Sequence, residues 1–429
     1  MKLKIRKLLK DKFVRGTFIL TVGNFIGSVL NYLIHPILTR HLSISAYGDF
    51  QAILSFLTII GIIGVVILTA LTKEVSVLAA NKLDQIKPLW RRAMFFLSWL
   101  GIVLFILVFI FSGLLNNLFK IPESSVLLIS SLSLLYIFPM FVNRAVLTGL
   151  QRFPVLAGLN LIDPACRLIL IILLVVVWPW GIIGAAWSLG LTSLIGFIVS
   201  FWPIKKLKLP LVKSEEKISL KKLIPYAGLV LWLTALSQFF YNFDMLLVKS
   251  AFSPEEAGLY GALLTIGRII FFVGGSVPLV MFPVIAGLKN DVSLHKYKVL
   301  LKSLGLMALL AIPTALVIAL FPEFVVKIVV GLKYLSIVQY LPAFALVIFL
   351  LTMLTVLAQY FLALSRRSGL WALTVGAITE IISLSLFHSS FWVVIMSLIL
   401  VFIGINSILF ILLFLDYKKD KQRLYVTKD

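Results

Sequence analysis

The sequence predicts an all-α, multi-pass membrane protein of about twelve transmembrane helices, arranged as two six-helix halves of like orientation. Three observations predict it. The 429 residues are 61% hydrophobic, with a mean hydropathy of +1.10, and only 13% are charged, where a soluble chain of this length carries roughly a quarter. So little polar surface does not cover a protein of this size in water, and lipid must solvate most of it. The apolar residues also fall into twelve stretches, each near the roughly 20 residues that a helix needs to cross hydrocarbon. Finally, the second half repeats the first at an offset near 210 residues.

The N-terminal MKLKIRKLLKDKF runs into the first span, 14–38, without a small-residue cleavage site, and reads as a signal anchor. Spans 50–71, 93–115, 126–149, 155–178 and 181–203 follow, the last two parted by Trp178-Pro179-Trp180-Gly181. A Lys-rich run from Lys205 to Lys222 then separates the halves. Spans 224–248, 258–284, 299–321, 335–363, 369–388 and 391–415 form the second half, with Ser389-Ser390 between the last two. The expected domains are an N-terminal lobe 1–204, a basic linker 205–223, a C-terminal lobe 224–415 and a tail 416–429. Pro36, Pro139, Pro164, Pro278, Pro283, Pro313 and Pro342 fall within spans, where each removes a backbone donor and bends its helix. Gly23 and Gly27 form a GxxxG, a pattern of close helix packing.

Positively charged loops stay cytoplasmic. With the N-terminus inside, 32 of the 39 basic residues fall on the inner side, counting Arg144 as snorkelling inward and Arg15 and Lys302, at the inner ends of their spans, with that side, 5 outside and 2 deeper within spans. The acids divide as 9, 5 and 3, leaving net charges of +23 inside, 0 outside and −1 in the membrane. Both termini are expected in the cytoplasm. The overall +22 therefore reports insertion and contact with anionic lipid, and nucleic acid is not an expected partner. The single Cys166 excludes an intramolecular disulfide and a Cys-based zinc site.

LSISAYGDFQAI from Leu42 aligns with FSPEEAGLYGAL from Phe252, placing Ser43 on Ser253 and Gly48 on Gly258. The same offset maps spans 1 to 6 onto spans 7 to 12. Because six is even, the halves are parallel repeats about an axis along the membrane normal, an architecture of alternating-access transporters.

In hydrocarbon, a polar helix face looks toward protein or water. Span 1 carries Thr17, Thr21, Asn24, Ser28, Asn31 and His35 at helical spacing, and span 7 carries Thr234, Gln238 and Tyr241 at matching positions. Gln51, Ser55 and Thr58 of span 2 correspond to Gly261, Thr265 and Arg268 of span 8. Such residues serve as interhelical glue or as the lining of a hydrated cavity; a stripe echoed in both halves favours the cavity. Its expected lining is Asn24, Ser28, Asn31, Gln51, Ser55, Thr234, Gln238, Tyr241 and Thr265.

Asp163 and Arg167, four apart with the acid first, are placed to pair along their helix. They read either as a self-neutralised pair or as part of a ligand site. Glu380 has no partner on its own helix and is a candidate ion-coupling site, with Asp163 and Asp244 beside it in the candidate set. Asp244 falls about one turn from the end of span 7, a position that water reaches.

No GxxxxGK[ST] phosphate loop is present, and the four histidines, His35, His41, His295 and His388, show no metal-ligand spacing. Neither a cofactor nor a metal is expected. A membrane glycan polymerase or ligase, the enzyme alternative, needs a larger outer domain than the longest outer loop, 322–334, supplies.

The chain resembles the polysaccharide-transport branch of the multidrug/oligosaccharidyl-lipid/polysaccharide exporter superfamily, the Wzx-like flippases of O-antigen or capsule units. The residues that carry this are TVGNFIGSVLNYLIHPILTRHLSISAYGDF, VLTGLQRFPVLAGLNLIDPACRLIL and FFYNFDMLLVKSAFSPEEAGLYGALLTIGRIIFFVGGSVPLVMFPVIA. The resemblance implies two six-helix lobes in a V, in the inner membrane, flipping a polyprenyl-pyrophosphate oligosaccharide between leaflets without catalysis. Membrane lipids and other glycan-assembly proteins are the implied partners. A pyrophosphate needs cationic donors, and arginine suits it. Arg268 leads, followed by Arg167, with His35 and Arg40 near the outer exit; Tyr32, Asn31, Gln238 and Tyr241 are candidates for the sugar. An ion-coupled drug or metabolite exporter of the same fold is the alternative and would use Asp163, Asp244 and Glu380.

Overall fold

Every regular element is helical, and no strand occurs among the described residues, which a computed structural model gives as 12–207, 224–288 and 294–426. The proposed signal-anchor run before Lys12 and most of the basic linker lie outside them. Among the described residues, ten helices are long and apolar enough to cross a membrane. The other two predicted spans are the polar-striped helices, and at 30 and 28 residues the helical rise makes both longer than the roughly 30 Å hydrocarbon layer. Contacts divide the chain into two compact units, Met1–Leu231 and Trp232–Asp429.

Unit 1 begins with α1 (Lys12–His41) and α2 (Ile44–Asn81), followed by α3 (Ile86–Ile110) and the short α4 (Ser112–Leu118). The predicted fourth span is two pieces, α5 (Ser124–Ser131) and α6 (Ser133–Gly149). Then come α7 (Phe153–Ile171), which loosens into a π-helical turn over Ile172–Val177, and α8 (Gly181–Lys206). Gly181 takes a φ of +57°, which lets the chain reverse directly after Trp178-Pro179-Trp180. Helices α2 and α6 close on each other at Gly64, where a Cβ would come within 2.3 Å of the Phe141 ring. The polar contact Asn143 Nδ2 to Ser200 Oγ, 2.8 Å, joins α6 to α8, and Trp90 Nε1 donates to Asn143 Oδ1 at 2.8 Å from α3. Asn143 is fully buried and takes partners from both sides, as a buried amide must.

Unit 2 takes most of α9 (Ile224–Ala251), then α10 (Pro254–Gly274), α11 (Ser276–Gly287), α12 (His295–Leu320), α13 (Pro322–Val329), α14 (Leu341–Ala363), α15 (Arg367–Leu386) and α16 (Phe391–Val426). Pro342 sits in the first turn of α14, where a missing N–H is harmless, and so does not bend a span as expected. The repeat is visible in local geometry. Ser43 caps α2 by accepting from the Ala46 N–H, and Ser253 caps α10 by accepting from the Glu256 N–H. Gly64 and Gly274, also 210 apart, each sit at the close approach of the equivalent pair, α2 with α6 and α10 with α14.

Helix α16 continues past residue 415, where the last span was expected to end. Acidic residues hold the extension: Asp416 pairs with Arg366, while Asp420 accepts from Lys296 Nζ at 2.7 Å, Tyr297 Oη at 2.7 Å and Arg366 Nη2 at 3.2 Å. The polar end of α16 is thereby tied to the start of α12 and to the α14–α15 connection.

Candidate functional site

In unit 1 the polar stripe of α1 lies against α7. A Cβ at Gly23 would come within 2.9 Å of the Ala157 Cβ, and one at Gly27 within 2.9 Å of the Asn160 carbonyl oxygen. The predicted GxxxG therefore sets this spacing. Asn160 Nδ2 donates to Asn24 Oδ1 at 2.8 Å, and Arg167 Nη1 to Asn31 Oδ1 at 3.4 Å. The partners advance by seven residues on both helices, so α1 and α7 run in the same direction. Asn24 and Ser28 are exposed and Asn31 is half-buried.

Asp163 does not pair with Arg167 one turn along its own helix. Its carboxylate is taken by Arg144 of α6. Gly196 of α8 leaves room for it, since a Cβ there would fall 2.5 Å from Asp163 Oδ1. This corrects both the pairing along α7 and the inward snorkelling of Arg144: two groups that are each costly to bury pair across helices through one oxygen, while Asp163 Oδ1 and Arg144 Nε have no hydrogen-bond partner among the described residues. Arg167 is half-buried, forms no ion pair among the described residues, and its Nε has no hydrogen-bond partner there.

At the C-terminal end of α1, Tyr47 Oη lies 3.1 Å from His35 Nδ1 and accepts from Gln51 Nε2 at 2.8 Å. His35, Tyr47 and Gln51 are all buried, so His35 belongs to an internal network, whereas Arg40 is exposed and donates to the Pro36 carbonyl at 2.8 Å. Ser55 in unit 1 and Thr265 in unit 2 are buried too. For Gln51, Ser55 and Thr265 the expected open lining is corrected to helix–helix packing inside each unit.

In unit 2, Thr234, Gln238 and Tyr241 lie half-buried along α9. Asn242 Nδ2 donates to the Gln238 carbonyl at 3.0 Å and to Oε1 at 3.1 Å. Arg268 of α10, 8% exposed, sets its guanidinium carbon 4.4 Å from the centre of the Tyr241 ring and donates to the Tyr241 carbonyl at 3.2 Å. This cation–π contact holds the side chain without neutralising it, and Arg268 also forms no ion pair among the described residues. Asp244 accepts from Tyr260 Oη and from the Met245 N–H, both at 2.8 Å. It lies seven residues before the end of α9 and is buried, which corrects the wetted position expected for it. Glu380 of α15 is fully buried, neither carboxylate oxygen has a hydrogen-bond partner among the described residues, and it lies within electrostatic reach of Asp244. No group of three His, Cys, Asp or Glu suited to a metal occurs among the described residues.

Four participants escaped the sequence reading: Arg144, Tyr47, Tyr260 and Asn160. For Asn160 a signal existed, since Asn160, Asp163 and Arg167 are spaced 3 and 4 and form a polar stripe facing that of α1. Tyr47 and Gln51 are likewise four apart on α2, a spacing that announces their bond, whereas Arg144 and Tyr260 meet their partners through tertiary packing that no spacing announces.

An all-helical bundle of membrane-crossing length with charged and amide groups inside each half defines a multi-pass membrane protein of transporter fold. The chain belongs to the polysaccharide biosynthesis protein family, which it matches over residues 13–289. Its fold is that of a lipid II flippase MurJ solved in an inward closed conformation, with a TM-score of 0.74, 17% identity, and coverage of 92% of this chain and 87% of that one. An inward-facing multidrug resistance MATE family transporter of the MOP superfamily gives a TM-score of 0.73 at 12% identity, covering 93% of this chain and 95% of the other. A MOP superfamily transporter from Pyrococcus furiosus, described as having a binding pocket of reversed polarity, gives 0.67 at 13% identity over 99% and 98%. No curated protein sequence matches the chain significantly.

Proposed function

We propose that the protein flips a lipid-linked oligosaccharide, carried on a polyprenyl pyrophosphate, from the inner to the outer leaflet for surface polysaccharide assembly, by alternating access of its two halves. The observation that carries this reading is an arginine within a span of each unit, Arg167 and Arg268, held by an amide or an aromatic ring and not by a carboxylate. A guanidinium so held keeps its charge for a phosphate. Family membership and the fold shared with a lipid II flippase support the same reading. Asn24, Asn31, Gln238 and Tyr241 supply hydrogen-bonding and stacking groups for the sugar. The charge distribution supports a cytoplasmic-membrane location with both termini inside. An anionic head group moving outward descends an inside-negative potential, worth about 2.3 kcal/mol per charge per 100 mV.

The test is flipping of a polyprenyl-pyrophosphate glycan in proteoliposomes. Arg268→Ala abolishes it while insertion and folding persist, and Arg268→Lys retains part of the rate. Normal flipping by the Ala variant refutes the assignment. A second reading, an ion-coupled exporter of drugs or metabolites, draws on the buried acids Asp244 and Glu380; transport of organic cations without glycan flipping decides for it. In either case Glu380 is the proposed coupling group.

A further inference from the structure

The two charges of α7 are sorted to opposite neighbours. Asp163 pairs with Arg144 of α6 beside Gly196 of α8, whereas Arg167 donates to the amide oxygen of Asn31 on α1 at 3.4 Å and feels Asp163 through space, with no ion-pair contact between the two among the described residues. On an isolated helix these residues, an acid followed four positions later by a base, pair with each other. Such a pair would cancel the cation. A partner on α6 competes for the same carboxylate, at a place where the Arg144 and Asp163 side chains are only 17% and 22% exposed. Ion pairs at that depth are screened less than surface pairs.

We infer that Arg144 is a positioning residue: by engaging Asp163 it keeps Arg167 free of an acidic partner and open to a diphosphate head group entering beside α1. The inference rests on the flippase reading above, in which Arg167 contacts the head group, and adds to it a residue that never touches the substrate. Neutralising Asp163 and removing Arg144 then act in opposite directions. Loss of Arg144 releases the carboxylate to Arg167 and weakens anion binding. Loss of the Asp163 charge leaves two guanidinium groups near the site and strengthens it. A purely structural ion pair predicts otherwise, because either single substitution strands a buried charge and impairs the protein.

The experiment measures binding of farnesyl pyrophosphate to the purified full-length chain in detergent, with farnesol as the uncharged control and thermal unfolding as the check on folding. Arg167→Gln reports on the head-group reading, and loss of pyrophosphate binding but not of farnesol binding is expected. Arg144→Gln weakens pyrophosphate binding by roughly tenfold, the scale of one charge-assisted contact. Arg144→Lys retains most of it, Asp163→Asn tightens it, and the double variant Arg144→Gln/Asp163→Asn returns it to the wild-type level or above. If Arg167→Gln binds normally, the head-group role of Arg167 fails and the inference falls with it. If Arg167→Gln loses binding but Asp163→Asn weakens it, or Arg144→Gln leaves it unchanged, the positioning role alone is overturned. Should Arg144→Gln not fold, the sign of the Asp163→Asn effect still decides.

Discussion

Ser43 and Ser253, 210 positions apart, cap the second long helix of their respective units with nearly the same backbone, φ and ψ of −63° and 160° against −67° and 157°. Equal geometry at equivalent positions makes the internal repeat a local fact as well as a count of spans. The caps differ in one respect. Glu256 Oε2 in turn accepts from the Ser253 N–H at 3.0 Å, completing a capping box on α10. Loss of a serine cap costs about 1 kcal/mol, and at Ser253 it also unseats Glu256. Ser253→Ala is therefore expected to lower the unfolding temperature in detergent more than Ser43→Ala; equal shifts contradict the reciprocal box.

The α1–α7 seam predicts a sharp contrast among glycines. At Gly27 a methyl group meets the Asn160 carbonyl oxygen at 2.9 Å, a backbone atom that cannot step aside without moving a helix. At Gly158, on the same pair of helices, a methyl group would find no atom within 4 Å. Overpacking costs typically 1–3 kcal/mol, whereas alanine in an open helical position gains up to about 1 kcal/mol over glycine. Gly27→Ala is expected to destabilise unit 1 and Gly158→Ala to leave it unchanged or improve it, as read by thermal unfolding. A stable Gly27→Ala protein shows that the two helices are not held at this spacing.

These two cases also mark what the sequence makes legible. Span number and the GxxxG seam follow from periodicity and a short motif, and the match of Ser43 with Ser253 from comparing the chain with itself at an offset of 210, so all are read along the chain. The partners of buried charge are decided between helices. Asp163 and Arg167 satisfy the i, i+4 rule, yet Arg144, nineteen residues before the acid, wins the carboxylate because tertiary packing brings it alongside and removes water from both. Tyr260 meets Asp244 across the turn between α9 and α10 in the same way. The polar stripes were legible as stripes, but which members face open space was not: Asn24 is exposed and Gln51 buried although both read as polar faces of long spans.

The extension of α16 yields a prediction about proteolysis. Asp420 gathers Lys296, Tyr297 and Arg366, and the Lys296–Asp420 side chains are only 6% and 11% exposed. Removing one member of a buried pair costs roughly 3–5 kcal/mol, with the lower end expected here because Asp416 retains Arg366. Asp420→Asn should release the end of the helix and speed tryptic cleavage at Lys418, Lys419 and Lys421. Cleavage at the wild-type rate means that the network does not hold the extension in place.

Glu380 brings stability and transport into opposition. A fully buried carboxylate without a hydrogen-bond partner among the described residues is a costly group when charged, and Asp244 nearby adds repulsion. Glutamine has nearly the same shape and no charge, so Glu380→Gln should leave the unfolding temperature unchanged or raise it. If the carboxylate had no task beyond packing, transport would follow stability. As the proposed coupling group it takes up and releases a proton during the cycle, and glutamine cannot. The expected result is thus a well-folded variant whose transport is slowed and whose rate no longer varies with pH or with the driving ion gradient. A variant as stable as the wild type, with an unaltered rate and pH profile, removes Glu380 from the mechanism and leaves outward flipping to the membrane potential acting on the head group.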